Sequence, residues 1–317
     1  MARADEAAFR NSRTIIGALS GKTMVLPDVN APPMPLIAPP GIIHDGEPVA
    51  GFVGIDAVRG YPDVRSFRRK FGLLIPATNT SMEHELWSIV LQNASNGLDG
   101  VGLHTANVVT PRPRFGTEDD LLEYKRQFLA GLKGAVDQVL LAQPEYLIMG
   151  MSLEHIIHGI DEIRAPMAEI EAHSSLSVAT WHDAALAALT KLGAKRIGLL
   201  TAFNKRGNEN AARMLEDLGF EVVSSVGFAC DHALHIAHIP DDAKERAIIE
   251  LLATPANRLD AIVQCGTNMS LIQVSERLEP RLGIPIIGIN AALLWFALRE
   301  NGFDAPLTGA GRLFREF

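Results

Sequence analysis

Cys265 stands where the apolar residues Ala261, Ile262 and Val263 give way through Gln264 to Gly266, Thr267 and Asn268. A thiol at the end of a buried strand can serve as an acid, a base or a nucleophile. The backbone N–H groups of Cys265 and Gly266, read as opening a helix, can bind an anion and can lower the thiol pKa. A free cysteine is also a common small core residue. Cys230, the second of the two cysteines, lies in GFACDH, where nothing places it at a strand end, and is read as structural.

Other motifs carry less. Glu154-His155-x-x-His158 and Asp231-His232-x-x-His235-x-x-His238 are dense in metal-ligand types. On a helix, residues six apart point about 240° from each other, so the second group cannot surround one ion. On a strand, residues three apart lie on opposite faces. No zinc spacing is present and no metal is expected. GLLIPATN lacks the dinucleotide fingerprint, GALSGKT (17–23) lacks the Walker spacing, and there is no G-x-S-x-G elbow.

Elements that could position these residues alternate along the chain. Strand patterns fall at 70–76, 101–109, 146–152, 196–201, 220–228, 260–266 and 284–290. Helical patterns fall at 80–94, 118–142, after 152, and at 208–219, 241–254, 268–278 and 292–302. Thr80 and Glu83 have the spacing of a capping box, and Met82, Leu86, Ile89 and Val90 make one apolar face. Alternation of this kind predicts an α/β fold with doubly wound parallel sheets. It occurs twice. KFGLLIPATN and RIGLLTAFN open the two rounds, and YLIMGMS and DAIVQCG follow in the same order. Two pseudo-symmetric domains with a cleft between them are expected. Ligands bind beyond the carboxyl ends of such strands. The turns Pro76-Ala77-Thr78-Asn79, Gly150-Met151-Ser152, Thr201-Ala202-Phe203-Asn204 and Cys265-Gly266-Thr267-Asn268 should therefore converge.

Residues 1–67 differ. APPMPLIAPPGII (31–43) is dense in proline, which disfavours helix interiors and central strands. Its apolar residues suggest an extended arm, with a homo-oligomeric contact as one use for it; a partly disordered tail is the alternative reading. The expected division is the arm at 1–67, a first domain at 68–180 completed by 291–317, and a second at 181–290.

The 317 residues are 47% hydrophobic and 21% charged, with a formal net charge of −8. That balance argues against nucleic acid or an anionic membrane as the main partner. Two cysteines make no disulfide framework. The start, MARADEAAFRNSR, has no continuous apolar core, and no apolar run approaches a membrane span. A cytoplasmic protein is expected.

From about residue 71 to 317 the chain resembles the aspartate/glutamate racemase superfamily, in the branch of maleate cis–trans isomerases and arylmalonate decarboxylases. The resemblance rests on GLLIPATNTSMEHE, IMGMSLEH, RIGLLTAFN, IVQCGTNMSLIQVSERLEPRLGIPIIGINAALLWFALRENG and the closing GRLF, in that order. It implies two α/β domains with the site between them and no cofactor. Racemases and isomerases of that superfamily use one cysteine from each domain. The second matches Cys265; the first matches Gly150, which has no thiol, as in the decarboxylase. Met151 departs from a hydroxyl residue there, and Phe203 from a tyrosine. Asn79 and Thr80 look more like the isomerase, where the asparagine grips a carboxylate.

What the resemblance implies is a small dicarboxylate substrate and decarboxylation of a 2-substituted malonate-like diacid, with Cys265 protonating the enediolate. Pro76, Thr78, Asn79, Gly150, Met151, Ser152, Phe203 and Gly266 are the expected substrate-binding residues. A cis–trans isomerase or racemase would need a second acid/base, for which Glu154 and His155 are candidates. The favoured reading of both is an exposed first helical turn. A binding protein that kept the cleft and lost catalysis is the third alternative.

Overall fold

The computed structural model describes residues 43–48, 63–114, 116–154 and 156–317. Most of the expected arm, and His155, lie outside the described residues. Within the first span, strands β1 (Ile43–His44) and β2 (Glu47–Pro48) pair antiparallel.

Two four-stranded sheets follow. The first contains β3 (Arg69–Pro76), β4 (Val101–Val108), β5 (Tyr146–Met149) and β6 (Val178–Ala179). The second contains β7 (Arg196–Thr201), β8 (Glu221–Gly227), β9 (Ala261–Cys265) and β10 (Ile286–Gly288). The orders are β4-β3-β5-β6 and β8-β7-β9-β10, and every pairing is parallel. The second sheet therefore repeats the first strand for strand. β3 matches β7 and β5 matches β9, as the paired motifs predict. The central strands are buried over runs such as Phe71–Pro76 and the whole of β9. Helices cover both faces of such sheets, so the strands read as continuous apolar runs.

The helices are α1 (Met82–Gln92), α2 (Glu118–Leu140), α3 (Ile160–Ser174), α4 (Trp181–Lys191), α5 (Lys205–Asp217), α6 (Asp241–Arg246), α7 (Ile272–Leu282), α8 (Ile289–Glu300) and α9 (Arg312–Glu316). A π-helical turn, Ala247–Leu252, continues α6. Local chemistry starts several of them. Thr117 and Asp120 form a capping box on α2, Thr180 accepts from the Asp183 N–H on α4, and the Asn204 side chain accepts from Gly207 N on α5. α8 is buried along its whole length. It packs on α4 and also on α1, β5 and β6 of the first sheet. The segment after it returns to α1, where Asn93 accepts from Thr308 N at 2.9 Å.

Three local expectations are corrected. The Thr80–Glu83 capping box does not form: Asn79 Oδ1 takes the Ser81 and Met82 N–H groups at 3.0 Å each. The helix after β9 starts at Ile272 and not near Asn268, because its cap comes from elsewhere. Glu85 Oε1 on α1 accepts from Leu271 N at 2.7 Å and Ile272 N at 3.0 Å. The helix after β5 starts only at Ile160, which leaves 150–154 and 156–159 as irregular segments. No helix among the described residues is long and apolar enough to cross a membrane.

Candidate active site

The carboxyl ends of β3, β5, β7 and β9 converge. Pro76, Thr78 and Asn79 after β3, Met151 and Ser152 after β5, Phe203 after β7, and Gly266, Thr267 and Asn268 after β9 line one cavity of about 30 Å³. Tyr124 of α2, with Ala233 and Ile236 from the segment after β8, completes it. Seven of the eight expected substrate-binding residues are therefore on its wall. The exception is Gly150. A Cβ there would lie 2.4 Å from Ile75 Cγ2 and 2.7 Å from Met82 Sδ, so its side-chain direction runs into the packing of α1. Its carbonyl accepts from Thr267 Oγ1 at 3.0 Å.

Hydrogen bonds across the two halves hold these turns closed. Gly266 N donates to Ser152 Oγ at 2.8 Å. Asn79 Nδ2 donates to Thr267 Oγ1 at 3.0 Å. Asn268 Nδ2 donates to the carbonyls of Thr78 and Ala233, both at 3.1 Å, while its Oδ1 accepts from Thr80 N at 2.9 Å. Asn290 Nδ2 bridges Glu85 Oε2 at 2.7 Å and the Thr267 carbonyl at 2.9 Å, which fixes the turn after β9 from behind. Gly266 has φ +110°, in the region that favours glycine, and this lets its N–H turn towards Ser152. The second half's loop is pinned to the first by an antiparallel bridge between Arg114 and His232, and by Ala233 N donating to the Pro113 carbonyl at 2.9 Å.

Cys265 is 0% exposed at the end of β9, one residue before Gly266, and is not itself on the cavity wall. Glu154 is 1% exposed, and its carboxyl lies beside the Cys265 thiol and the Ser152 side chain. The expected exposed helical turn is thus corrected for Glu154. Because α3 begins only at Ile160, residues 151–154 fold inward over the strand ends instead of starting a surface helix. Burial raises the Glu154 pKa to about 7. Burial and the neighbouring Glu154 carboxyl push the thiol well above its usual range, while the Trp181 indole beside it acts in the opposite direction. The thiol is therefore the resting form. No helix starts at Cys265 to lower the thiol pKa, since α7 begins seven residues beyond it.

Cys230 follows β8 with its N–H on the Ala202 carbonyl at 2.9 Å, and it is not on the cavity wall. His232, His235 and His238 lie on the loop that carries Ala233 and Ile236, with adjacent rings 5.3 and 6.0 Å apart. His235 Nδ1 pairs with Asp231 at 3.1 Å. Among the described residues no three metal-ligating side chains converge.

Tyr124 and Trp181 were not singled out from the sequence. Tyr124 repeats at helical spacing with Phe128 and Leu132 and so looks like core. Its hydroxyl lies 4.0 Å from Met151 Sδ, and burial keeps it a neutral phenol. Trp181 follows a two-residue strand too short to stand out.

The family model described as arylmalonate decarboxylase matches residues 145–314, from the start of β5 into α9. The chain belongs to the arylmalonate decarboxylase family. Within the wider group, it is 23% identical to the maleate isomerase of Nocardia farcinica over 253 residues, 78% of this chain and 96% of that protein. It is 26% identical to the arylmalonate decarboxylase of Bordetella bronchiseptica over 170 residues, 53% of this chain and 70% of that protein. The solved Nocardia farcinica maleate cis–trans isomerase bound to TRIS has the same fold, with a TM-score of 0.66 at 22% identity over 78% of this chain and 98% of that one. These relatives of the arylmalonate decarboxylase family member described here are enzymes, one an isomerase and one a decarboxylase.

Proposed function

We propose that the chain is a cofactor-independent decarboxylase of a 2-substituted malonate-like diacid, with Cys265 as the proton donor. The observation that carries this is a single neutral thiol, fully buried at the convergent strand ends, with no thiol across from it. A neutral thiol suits proton donation and not nucleophilic attack.

One substrate carboxylate takes the polar side of the cavity: the Gly266 N–H, the Ser152 hydroxyl, Thr78 and the Asn79 amide. The other lies against Met151 and Phe203. An apolar wall disfavours a carboxylate and tolerates neutral CO₂. Breaking the C–C bond leaves the electron pair on an enediolate, which the polar side stabilises as charge develops. Cys265 then gives its proton to the α-carbon from one face. A cavity of about 30 Å³ holds roughly one water, so the diacid enters after the turns part. The Gly266–Ser152, Asn79–Thr267 and Asn268–Thr78 hydrogen bonds join the turns of the two halves.

The isomerase or racemase reading is supported by the match along nearly the whole length of a maleate isomerase. Racemisation needs an acid and a base on opposite faces of one carbon. Glu154 touches the Cys265 thiol itself, so the two groups form one relay on one side. A Cβ at Gly150 would meet Ile75 and Met82. Both points favour one-sided protonation.

The test is incubation with 2-aryl-2-alkylmalonates, monosubstituted malonates in deuterated water, and maleate, followed by chiral analysis. One enantiomer from the malonates, with no product from Cys265→Ala, is the expected result. Racemic product, or fumarate from maleate with the malonates untouched, overturns the decarboxylase reading. Saturable binding of these diacids with no turnover of any would leave a binding protein.

A further inference from the structure

Glu154 is a buried carboxyl at the site that the chemistry above leaves unused. It is 1% exposed, it lies beside the Cys265 thiol, and its Oε1 has no hydrogen-bond partner among the described residues. A buried carboxyl with an unfilled oxygen is costly unless it is protonated or serves a purpose. Decarboxylation raises a need at the same place. Each turnover converts the Cys265 thiol to a thiolate, yet Cys265 has no access to solvent and the adjoining cavity has room for about one water.

We propose that Glu154 is the proton reservoir of Cys265, a positioning residue that returns a proton to Sγ after each turnover and does not touch the substrate. The inference rests on the decarboxylase reading. The S–H bond breaks as the new C–H bond forms on the α-carbon. The Glu154 O–H bond then breaks as S–H re-forms, and the charge moves to the carboxylate. That carboxylate takes a proton from water when the turns part for product release. The sum is one diacid dianion and one solvent proton going to CO₂ and one monoacid anion.

The surroundings fit this order. A thiolate and a carboxylate side by side out of water repel each other, so the pair holds at least one proton throughout. Ser152 and the Trp181 indole are the neutral polar groups beside the pair, and the charges that bear on it are each other's. The indole favours the transient thiolate. Burial sets Glu154 to release its proton near pH 7, a proton affinity suited to shuttling at neutral pH.

Glu154→Gln keeps the shape and the place beside Cys265 but carries no carboxylic proton to transfer. In rapid-quench experiments the first turnover should stay within about twofold of wild type. Steady-state kcat should fall about 100-fold, which gives a burst of one product per site. Wild-type kcat should decline as pH rises through about 7, because Glu154 enters each cycle already ionised, and the variant should lack that inflection. Glu154→Asp should restore part of the steady-state rate. Equal losses in the first and later turnovers, or no loss in either, would overturn the proposal. A second measurement needs no substrate. In a Cys230→Ser background, the infrared S–H band of Cys265 should shift between about pH 5 and about pH 8 in the otherwise native chain. In Glu154→Gln it should not. If no malonate turns over, the functional reading fails by itself. An unmoved band overturns the Glu154–Cys265 pairing whatever the reaction.

Discussion

Replacing Glu154 by glutamine should stabilise the protein at neutral and alkaline pH and do little in acid. Folding takes the carboxyl from its ordinary pKa of 4.5 to about 7, with burial as the main cause. Below about 4.5 the group is protonated in both states and folding costs it no charge. Between 4.5 and 7 the unfolded chain releases the proton while the folded chain keeps it, so stability falls as pH rises. Above 7 the loss is complete. At about 1.4 kcal/mol for each factor of ten in proton affinity, it reaches about 3 kcal/mol. Glutamine has no proton to lose and shows none of this dependence. The assay is urea unfolding of both proteins at about pH 4 and about pH 8. Other titrating groups are common to the two proteins and cancel in the double difference. The Cys265 thiol, raised by burial, stays neutral across the window. The difference in stability between variant and wild type should grow by about 3 kcal/mol from acid to alkaline pH. A difference constant to within about 0.5 kcal/mol would show that Glu154 does not titrate as a buried carboxyl, and the reasoning built on its burial would fail.

Four further outcomes are expected. Gly150→Ala should destabilise by about 1–3 kcal/mol in chemical denaturation, because the new Cβ meets Ile75 and Met82 at less than contact distance; unchanged stability would show that α1 can shift. Asn268→Ala removes the hydrogen bonds to Thr80 N and to the Thr78 and Ala233 carbonyls, so amide exchange in those segments should quicken while that of β3 stays slow. Glu85→Ala leaves the Leu271 and Ile272 N–H groups without their cap and should cost about 3 kcal/mol by urea titration. A chain beginning at Asp63 should keep the fold and change its oligomeric state in size-exclusion chromatography; loss of turnover with unchanged assembly would assign the first residues to the site.

The alternation of apolar runs and helical patterns was legible in the sequence because both signals are local. A strand covered on both faces must be apolar throughout, as in Phe71–Ile75 and Ala261–Val263, and a helix on a sheet must show one apolar stripe, as in Met82, Leu86, Ile89 and Val90. The repeat of that pattern was enough to place Cys265 at a strand end and to bring together four turns that supply nine residues of the cavity wall. What surrounds each of them was decided by tertiary structure. Val178–Ala179 is a strand because β5 offers it an edge, not because two residues carry a pattern. α7 starts at Ile272 because Glu85, far away in sequence, supplies its cap. Glu154 follows a turn and has the composition of a helix start, yet the chain folds it inward against Cys265. A lone carboxyl has no periodicity to announce its burial. Its environment, and so its proton affinity, comes from segments that meet only when the two sheets close on each other.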